Sequence, residues 1–146
     1  MDRLVLEDFL PYRLNRLAAD ISQQLKKVYR TKHGLTVPEW RVLATVAQFS
    51  EITAKGVGAH AALHKTKVSR AVAALETKRW LRRQRDESDG RQEILSLTNA
   101  GLKAYSAMVP QMTAFESELL RRLGPERVAQ VKKALSDLEA VLQAKP

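Results

Sequence analysis

The stretch that decides the fold is Lys65-Thr-Lys-Val-Ser-Arg-Ala-Val-Ala-Ala-Leu-Glu76. Four apolar residues stand in it at positions i, i+3, i+4 and i+7, the spacing of one helical face. These residues are Val68, Ala71, Val72 and Leu75. The polar and basic residues between them project from the opposite face. We expect a helix from Lys65 to about Arg79, buried on one side and cationic on the other.

Three helices are expected before this one. Apolar residues recur at spacings of three and four between Leu10 and Gly34, a typical helix terminator. Thr36-Val-Pro-Glu39 has the spacing of a capping box, in which Glu39 reaches back, and starts a second helix from about Val37 to Gln48. Thr53 can cap a short third helix through about His60.

A hairpin and two helices are expected after it. The segments 81–85 and 92–97 are compatible with strands, and a turn-rich segment joins them. Thr98 can cap a fifth helix running to Leu123, with a kink expected at Pro110. Pro125 suits the first position of a last helix. Its apolar residues repeat at 3-4-3-4 spacing, a seam that needs a partner helix. They are Val128, Val131, Leu135, Leu138 and Leu142.

Composition excludes several classes of protein. A chain of 146 residues fits one domain, and without cysteine it has no disulfide, thiolate metal site or thiol-based sensor. It has neither an apolar run long enough to cross a membrane nor a secretory signal, so we expect a soluble, cytoplasmic protein. No catalytic or phosphate-binding motif appears, so we expect neither an enzyme nor a cofactor. His60 and His64 are four residues apart, but we expect a helix-turn-helix bend between them rather than a metal site.

The basic residues are concentrated around the decisive stretch. The formal net charge is +9, and the 28 residues from His64 to Arg91 hold nine basic and four acidic residues, or +5 of that total. Such a concentration points to a polyanionic partner.

These elements, in this order, predict a mainly α-helical fold with a small β-hairpin wing, a winged helix-turn-helix. Its basic helix has the diameter to enter the major groove of DNA, with the hairpin arginines on the backbone or in the minor groove. The candidate DNA-binding residues are Lys65, Thr66, Lys67, Ser69, Arg70, Arg83, Arg85, Asp89 and Arg91. Asp89 is close enough to orient Arg91. The alternatives are a solvated helix face without a partner and a wing salt bridge unrelated to DNA.

The chain resembles the MarR family of bacterial regulators. The resemblance rests on the stretch 65–76, on Asp89-Gly-Arg91 and on Leu97-Thr98 at the family's wing spacing. It departs from the family at Gly56 and Gly58, where helix formers are usual, and at Ala62, where the turn often has glycine.

The resemblance implies a domain over residues 1–146. Residues 36–98 would form the DNA-binding lobe, and residues 5–33 and 99–146 the dimerisation helices. It further implies an obligate homodimer on double-stranded DNA, with half-sites about 34 to 36 Å apart on a pseudo-palindrome.

The resemblance also implies a small effector, often an aromatic acid, held between the dimer helices and the DNA-binding lobe. Candidate contacts are Tyr12, Arg13, Arg16, Trp40 and Arg41, which combine aromatic rings with cations. The phrase 11–16 looks like the hydroxycinnamate-responsive branch, where CoA thioesters can be the ligand. The alternative is that the rings are ordinary packing residues and the arginines cover the surface.

The function expected from sequence is a transcriptional repressor released from its operator by an aromatic carboxylate or an acyl-CoA. Two alternatives stay open. One is a constitutive or architectural DNA-binding protein without an effector, and the other is a protein-interaction module that uses the basic helix on an acidic partner.

Overall fold

The computed structural model describes residues 1–88 and 90–144. The helices are α1 (Leu10–His33), α2 (Val37–Phe49), α3 (Ala54–Ala61), α4 (Lys65–Thr77), α5 (Asn99–Leu123) and α6 (Pro125–Gln143). The strands are β1 (Ile52–Thr53), β2 (Leu81–Arg85) and β3 (Glu93–Leu97), and a short 3-10 helix covers Leu6–Asp8. The fold class expected from sequence, mainly α-helical with a small winged sheet, is confirmed, and the expected helix boundaries are within two residues of those observed.

Local capping explains where the first helices begin and end. Gly34 adopts the left-handed conformation that ends α1, and its amide donates to the Arg30 carbonyl. The Thr36 hydroxyl accepts from the Glu39 amide at 3.3 Å. The expected reciprocal bond differs, because the Glu39 carboxylate accepts from the Thr36 hydroxyl at 2.8 Å rather than from its amide. Thr53 caps α3 as expected, accepting from the Gly56 amide at 3.0 Å.

The core of the winged helix lies where α2, α3, α4 and the sheet meet. Its fully buried side chains include Leu43, Val46, Val57, Leu75 and Leu95. The apolar stripe of α4 is buried as its spacing predicted, with all four members at most 3% exposed. Burial of this face fixes the rotation of α4 and leaves its opposite face in solvent.

The sheet has one strand more than the sequence predicted. Its order is β1-β3-β2, and both pairings are antiparallel. Ile52 stands opposite Leu95, and Leu81 stands opposite Leu97. Strand β1 has only two residues, which is too short for an alternating pattern to reveal.

Thr98 closes the base of the wing. Its hydroxyl donates to the Arg79 carbonyl at 2.6 Å and accepts from the Gly101 amide at 3.0 Å, so the expected cap of α5 is present. Its amide donates to the Trp80 carbonyl at 3.0 Å. A Cβ on Gly101 would stand 2.0 Å from the same Trp80 oxygen, so only glycine allows this close approach. One residue therefore joins the end of α4, both ends of the hairpin and the start of α5.

The chain divides into two compact units, Met1–Val109 and Pro110–Pro146. The division falls inside α5, which runs from Asn99 to Leu123 with Pro110 within it, and the kink expected at Pro110 stays a prediction. Within the second unit, Val131 and Leu135 on the predicted seam of α6 are each 45% exposed. The single domain and the dimerisation role of the outer helices stay predictions.

Candidate nucleic-acid interface

The bend between α3 and α4 sets the direction of the basic helix. Ala62 ends α3 in the left-handed conformation, with φ of 53° and ψ of 47°. His64 then caps α4, because its Nδ1 accepts from the Thr66 amide at 3.2 Å. The His60 ring instead meets the Phe49 ring at an interplanar angle of 82°, with the centroids 4.9 Å apart. The two histidines therefore have separate structural roles on either side of the bend, and among the described residues no cluster of metal-ligating side chains forms.

The first two turns of α4 present the polar side chains that the sequence singled out. They are exposed, while Val68 between them is buried. These residues are Lys65, Thr66, Lys67, Ser69 and Arg70. Because they share the amino end of a helix, the positive end of its dipole adds to the charge of their cations. This surface can donate hydrogen bonds to base edges and phosphates.

The wing places further arginines beside α4, and they differ from one another in their ion pairs. Arg82, Arg83 and Arg85 are exposed on β2, and Arg91 is exposed beyond the strand. Arg83 is held by two carboxylates. Its Nη2 is 2.6 Å from Glu76 Oε1 on α4, and its Nη1 is 3.2 Å from Glu93 Oε2 on β3. Hydrogen bonding to Glu76 raises the pKa of Arg83, so its positive charge is permanent.

One of the predicted wing contacts, that of Asp89, involves a residue that the structure does not describe. Asp89 lies outside the described residues, so its expected bond to Arg91 stays a prediction. Arg91 itself stands in the turn that follows.

A groove of about 670 Å³ lies between α3, α4 and the sheet. Apolar side chains such as Leu63, Val72 and Leu95 line it, together with Lys55 and Lys65. Lys55 was not among the residues that the sequence singled out. It is the second residue of α3, two positions after the Thr53 cap.

The proposed effector residues do not form one cluster through any described contact. Tyr12 and Arg13 are exposed on α1, and Arg16 lies 3.5 Å from Asp20 in an exposed ion pair. Trp40 has tyrosine rings stacked on it, with its centroid 5.6 Å from that of Tyr29 and 6.5 Å from that of Tyr105. In this structure Trp40 is therefore part of the packing between α1, α2 and α5, and its role in effector binding stays a prediction.

Arg41 adds a cation next to this aromatic cluster. It is exposed on α2, and it lies close enough to Tyr29 to influence that phenol. Burial nevertheless raises the pKa of Tyr29, and the Arg41 charge opposes the increase only in part.

Comparison with known proteins shows which family has a similar sequence in this region. Residues 33–92, which hold α2 to the wing, match the MarR family model. This part of the chain is therefore similar to the MarR family. The fold described above matches the winged helix of MarR structures.

Solved structures resemble the chain over nearly its whole length. The transcriptional regulator PA4135 is 25% identical with a TM-score of 0.79, and the match covers 92% of this chain and 97% of that one. A MarR family regulator from Silicibacter pomeroyi is 24% identical with a TM-score of 0.77, and the match covers 99% of both chains. NadR, solved in complex with 4-hydroxyphenylacetate, is 18% identical with a TM-score of 0.77 and covers 94% of this chain and 97% of its own. No curated protein matches the chain.

Within the described residues, no helix is both long and apolar enough to cross a membrane.

Proposed function

We propose that the chain is a MarR-type transcriptional repressor that binds a pseudo-palindromic operator as a homodimer and is released from it by a small aromatic acid or its CoA thioester. The observation that carries the proposal is the exposed cationic amino end of α4, whose opposite face is buried. Lys67 and Arg70 would read guanine edges, and Thr66 and Ser69 would bond to bases or phosphates. Lys65, Arg85 and Arg91 would follow the backbone or the minor groove.

Exposed apolar stripes support the dimer. On α1, Leu10, Leu14, Leu17 and Ile21 recur at spacings of four and three, and each is between 37% and 55% exposed. On α6, Val131 and Leu135 repeat at the spacing of a coiled-coil seam. Contiguous exposed apolar surface of this kind marks a protein interface, and a second copy is the partner that a two-fold operator requires.

Operator selection followed by substitution tests DNA binding. Duplexes recovered from a random pool should contain two half-sites one helical turn apart. Arg70→Ala should weaken binding to that duplex by at least tenfold, since a bidentate contact to guanine is worth about 1–3 kcal/mol. Arg30→Ala is the matched control, because Arg30 is exposed at the end of α1 and has no ion pair among the described residues. Equal effects of the two substitutions, or no recovered motif, would contradict the proposal.

Exposed cations and the ligand of a similar solved structure support the proposal of an aromatic effector. Tyr12, Arg13 and Arg41 keep exposed side chains, and NadR was solved with an aromatic carboxylate. Titration of 4-hydroxyphenylacetate, hydroxycinnamates and their CoA thioesters against the labelled operator should release the protein. The release should need a higher concentration in Arg13→Gln. If none of these compounds releases the wild type, the proposed aromatic effector fails, and a constitutive DNA-binding protein is the alternative.

A further inference from the structure

We propose that Arg83 acts as a positioning residue for DNA binding rather than as a DNA contact, and that it holds the wing against α4 through Glu76 and Glu93. This inference rests on the proposed DNA-binding function. It assigns a supporting role in that function to two acidic residues on a surface that binds a polyanion.

The contacts of Arg83 join three elements. Its Nε donates to Glu76 Oε1 at 2.7 Å, and its Nη2 is 2.6 Å from the same oxygen. Its Nη1 donates to Glu93 Oε2 at 3.2 Å. Glu76 lies in the last turns of α4, Arg83 in the middle of β2 and Glu93 at the start of β3. A guanidinium that uses donors on both sides in this way fixes the angle between the hairpin and the helix.

The strand register shows that Glu93 pairs diagonally. Arg85 stands directly opposite Glu93, whereas Arg83 stands opposite Leu95. Oppositely charged residues that face each other directly are expected to pair, yet the Glu93 carboxylate bonds to Arg83. Arg85 has no ion pair among the described residues, so it keeps its charge for a phosphate. The two arginines of β2 therefore have different roles: Arg83 orients the wing, and Arg85 contacts DNA.

The positions of Arg83 and Arg85 along β2 agree with these two different roles. Leu81, Arg83 and Arg85 alternate onto one face of β2, and Leu81 on that face is buried. Arg83 is nearer than Arg85 to this buried end of the strand, where the wing meets α4. Its side chain is 37% exposed, and those of Glu76 and Glu93 are 35% and 44% exposed. The ion pairs are thus only partly screened by water.

Charge and geometry predict opposite results for the loss of Glu76. If charge alone mattered, removing a carboxylate from this surface would strengthen attraction to phosphates. If Glu76 holds Arg83, the same change releases the wing and weakens binding. The sign of the effect therefore separates the two explanations.

The test compares Glu76→Gln with Glu87→Gln in operator-binding titrations. Both substitutions remove one negative charge, and Glu87 is exposed in the turn of the wing. We expect Glu76→Gln to weaken operator binding about fivefold, the effect of an ion pair worth about 1 kcal/mol, and Glu87→Gln to leave binding unchanged or to tighten it. Tighter binding by Glu76→Gln would overturn the inference.

Arg83→Gln supplies an independent measurement, the dependence of affinity on salt. A lost phosphate contact flattens the log-log slope by about 0.9 per chain, whereas a lost positioning residue leaves the slope unchanged. We expect an unchanged slope, and a double variant Glu76→Gln/Arg83→Gln no weaker than Arg83→Gln alone. A flattened slope, or additive losses, would instead assign Arg83 to DNA contact.

Amide exchange and the binding of the wild type together separate the possible failures. Amide exchange should become faster in β2 and β3 of Glu76→Gln while the amides of α2 keep their protection, which shows that the variant is folded. If the wild type binds no duplex, the proposed function fails as a whole. If the wild type binds and Glu76→Gln behaves as Glu87→Gln does, only the role given to Arg83 fails.

Discussion

Ala62 is the residue at which the helix-turn-helix departs from ordinary backbone geometry. A left-handed alanine costs about 1–2 kcal/mol because its Cβ approaches the following carbonyl oxygen. Ala62→Gly should therefore raise the free energy of unfolding by about 1 kcal/mol, after the larger entropy of the unfolded chain is subtracted. Thermal or denaturant unfolding measures it. Ala59→Gly, in the neighbouring turn of α3, is the control and should lower stability by about 1 kcal/mol. A loss of stability in Ala62→Gly would contradict the left-handed assignment.

Gly101 permits the closest packing at the base of the wing. Gly101→Ala would place a methyl group 2.0 Å from the Trp80 oxygen and force α5 away from the hairpin. We expect a loss of about 1–3 kcal/mol in the free energy of unfolding, the usual range for overpacking. Gly90→Ala serves as the control, since no described atom lies within 4 Å of its Cβ position. Denaturant unfolding of both variants measures the difference, and equal stabilities would refute the close approach.

Local residue signals were readable from sequence and distant ones were not. The caps by Thr36, Thr53 and Thr98 were predictable because each accepts from an amide three residues ahead. The partners of Arg83 were not predictable. Glu76 and Glu93 are seven and ten residues away, and only the packing of the hairpin on α4 brings them together.

At the scale of elements, apolar periodicity predicted the helices. Close packing explains the two glycines of α3, which the periodicity does not explain. Gly56 and Gly58 weaken α3 as an isolated helix. A Cβ on Gly56 would stand 2.9 Å from Ile52 Cγ1, and one on Gly58 would stand 3.1 Å from the Leu63 carbonyl oxygen. The glycines thus let α3 approach β1 and the start of the following turn. Such contacts depend on tertiary structure, which the sequence pattern does not contain.

The aromatic cluster that joins α1, α2 and α5 gives a pH dependence. Because burial raises the pKa of Tyr29 above its value in the unfolded chain, the folded state holds the phenol proton more tightly. Its contribution to stability is complete below the unfolded pKa of about 10 and is lost as pH rises above that value. The free energy of unfolding should therefore fall more steeply above about pH 10 in the wild type than in Tyr29→Phe. Parallel curves would contradict this.

At the scale of the whole molecule, the exposed stripe of α1 should control assembly. Leu17→Asp would place a charge in an apolar interface and should weaken dimerisation by about a hundredfold or more. Sedimentation at several concentrations measures the dissociation constant. Gln23→Asp adds the same charge at another exposed position of α1, outside the stripe, and should leave the dimer intact. A monomeric wild type would refute the proposed two-fold complex itself.

Salt dependence reports how many cations the assembled molecule places on DNA. We assume that Lys65, Arg85 and Arg91 each neutralise one phosphate, so that a dimer neutralises six. The log-log slope of affinity against salt should then be about −5. Binding at 50 to 300 mM salt measures it. Arg85→Gln should flatten the slope by about 2 for the dimer, and Arg30→Ala should not change it. A slope near zero in the wild type would contradict duplex recognition.

The closed base of the hairpin makes its length adjustable. Because the Thr98 amide bonds to the Trp80 carbonyl, strands β2 and β3 leave and return at one point. Residues added in matched numbers beyond Arg85 and before Glu93 would leave that point, and hence the basic helix, where it is. Two added residues in each strand preserve which side chains face α4 and extend the reach by about 7 Å. A longer hairpin on the same basic helix would thus reach farther without changing the position of that helix.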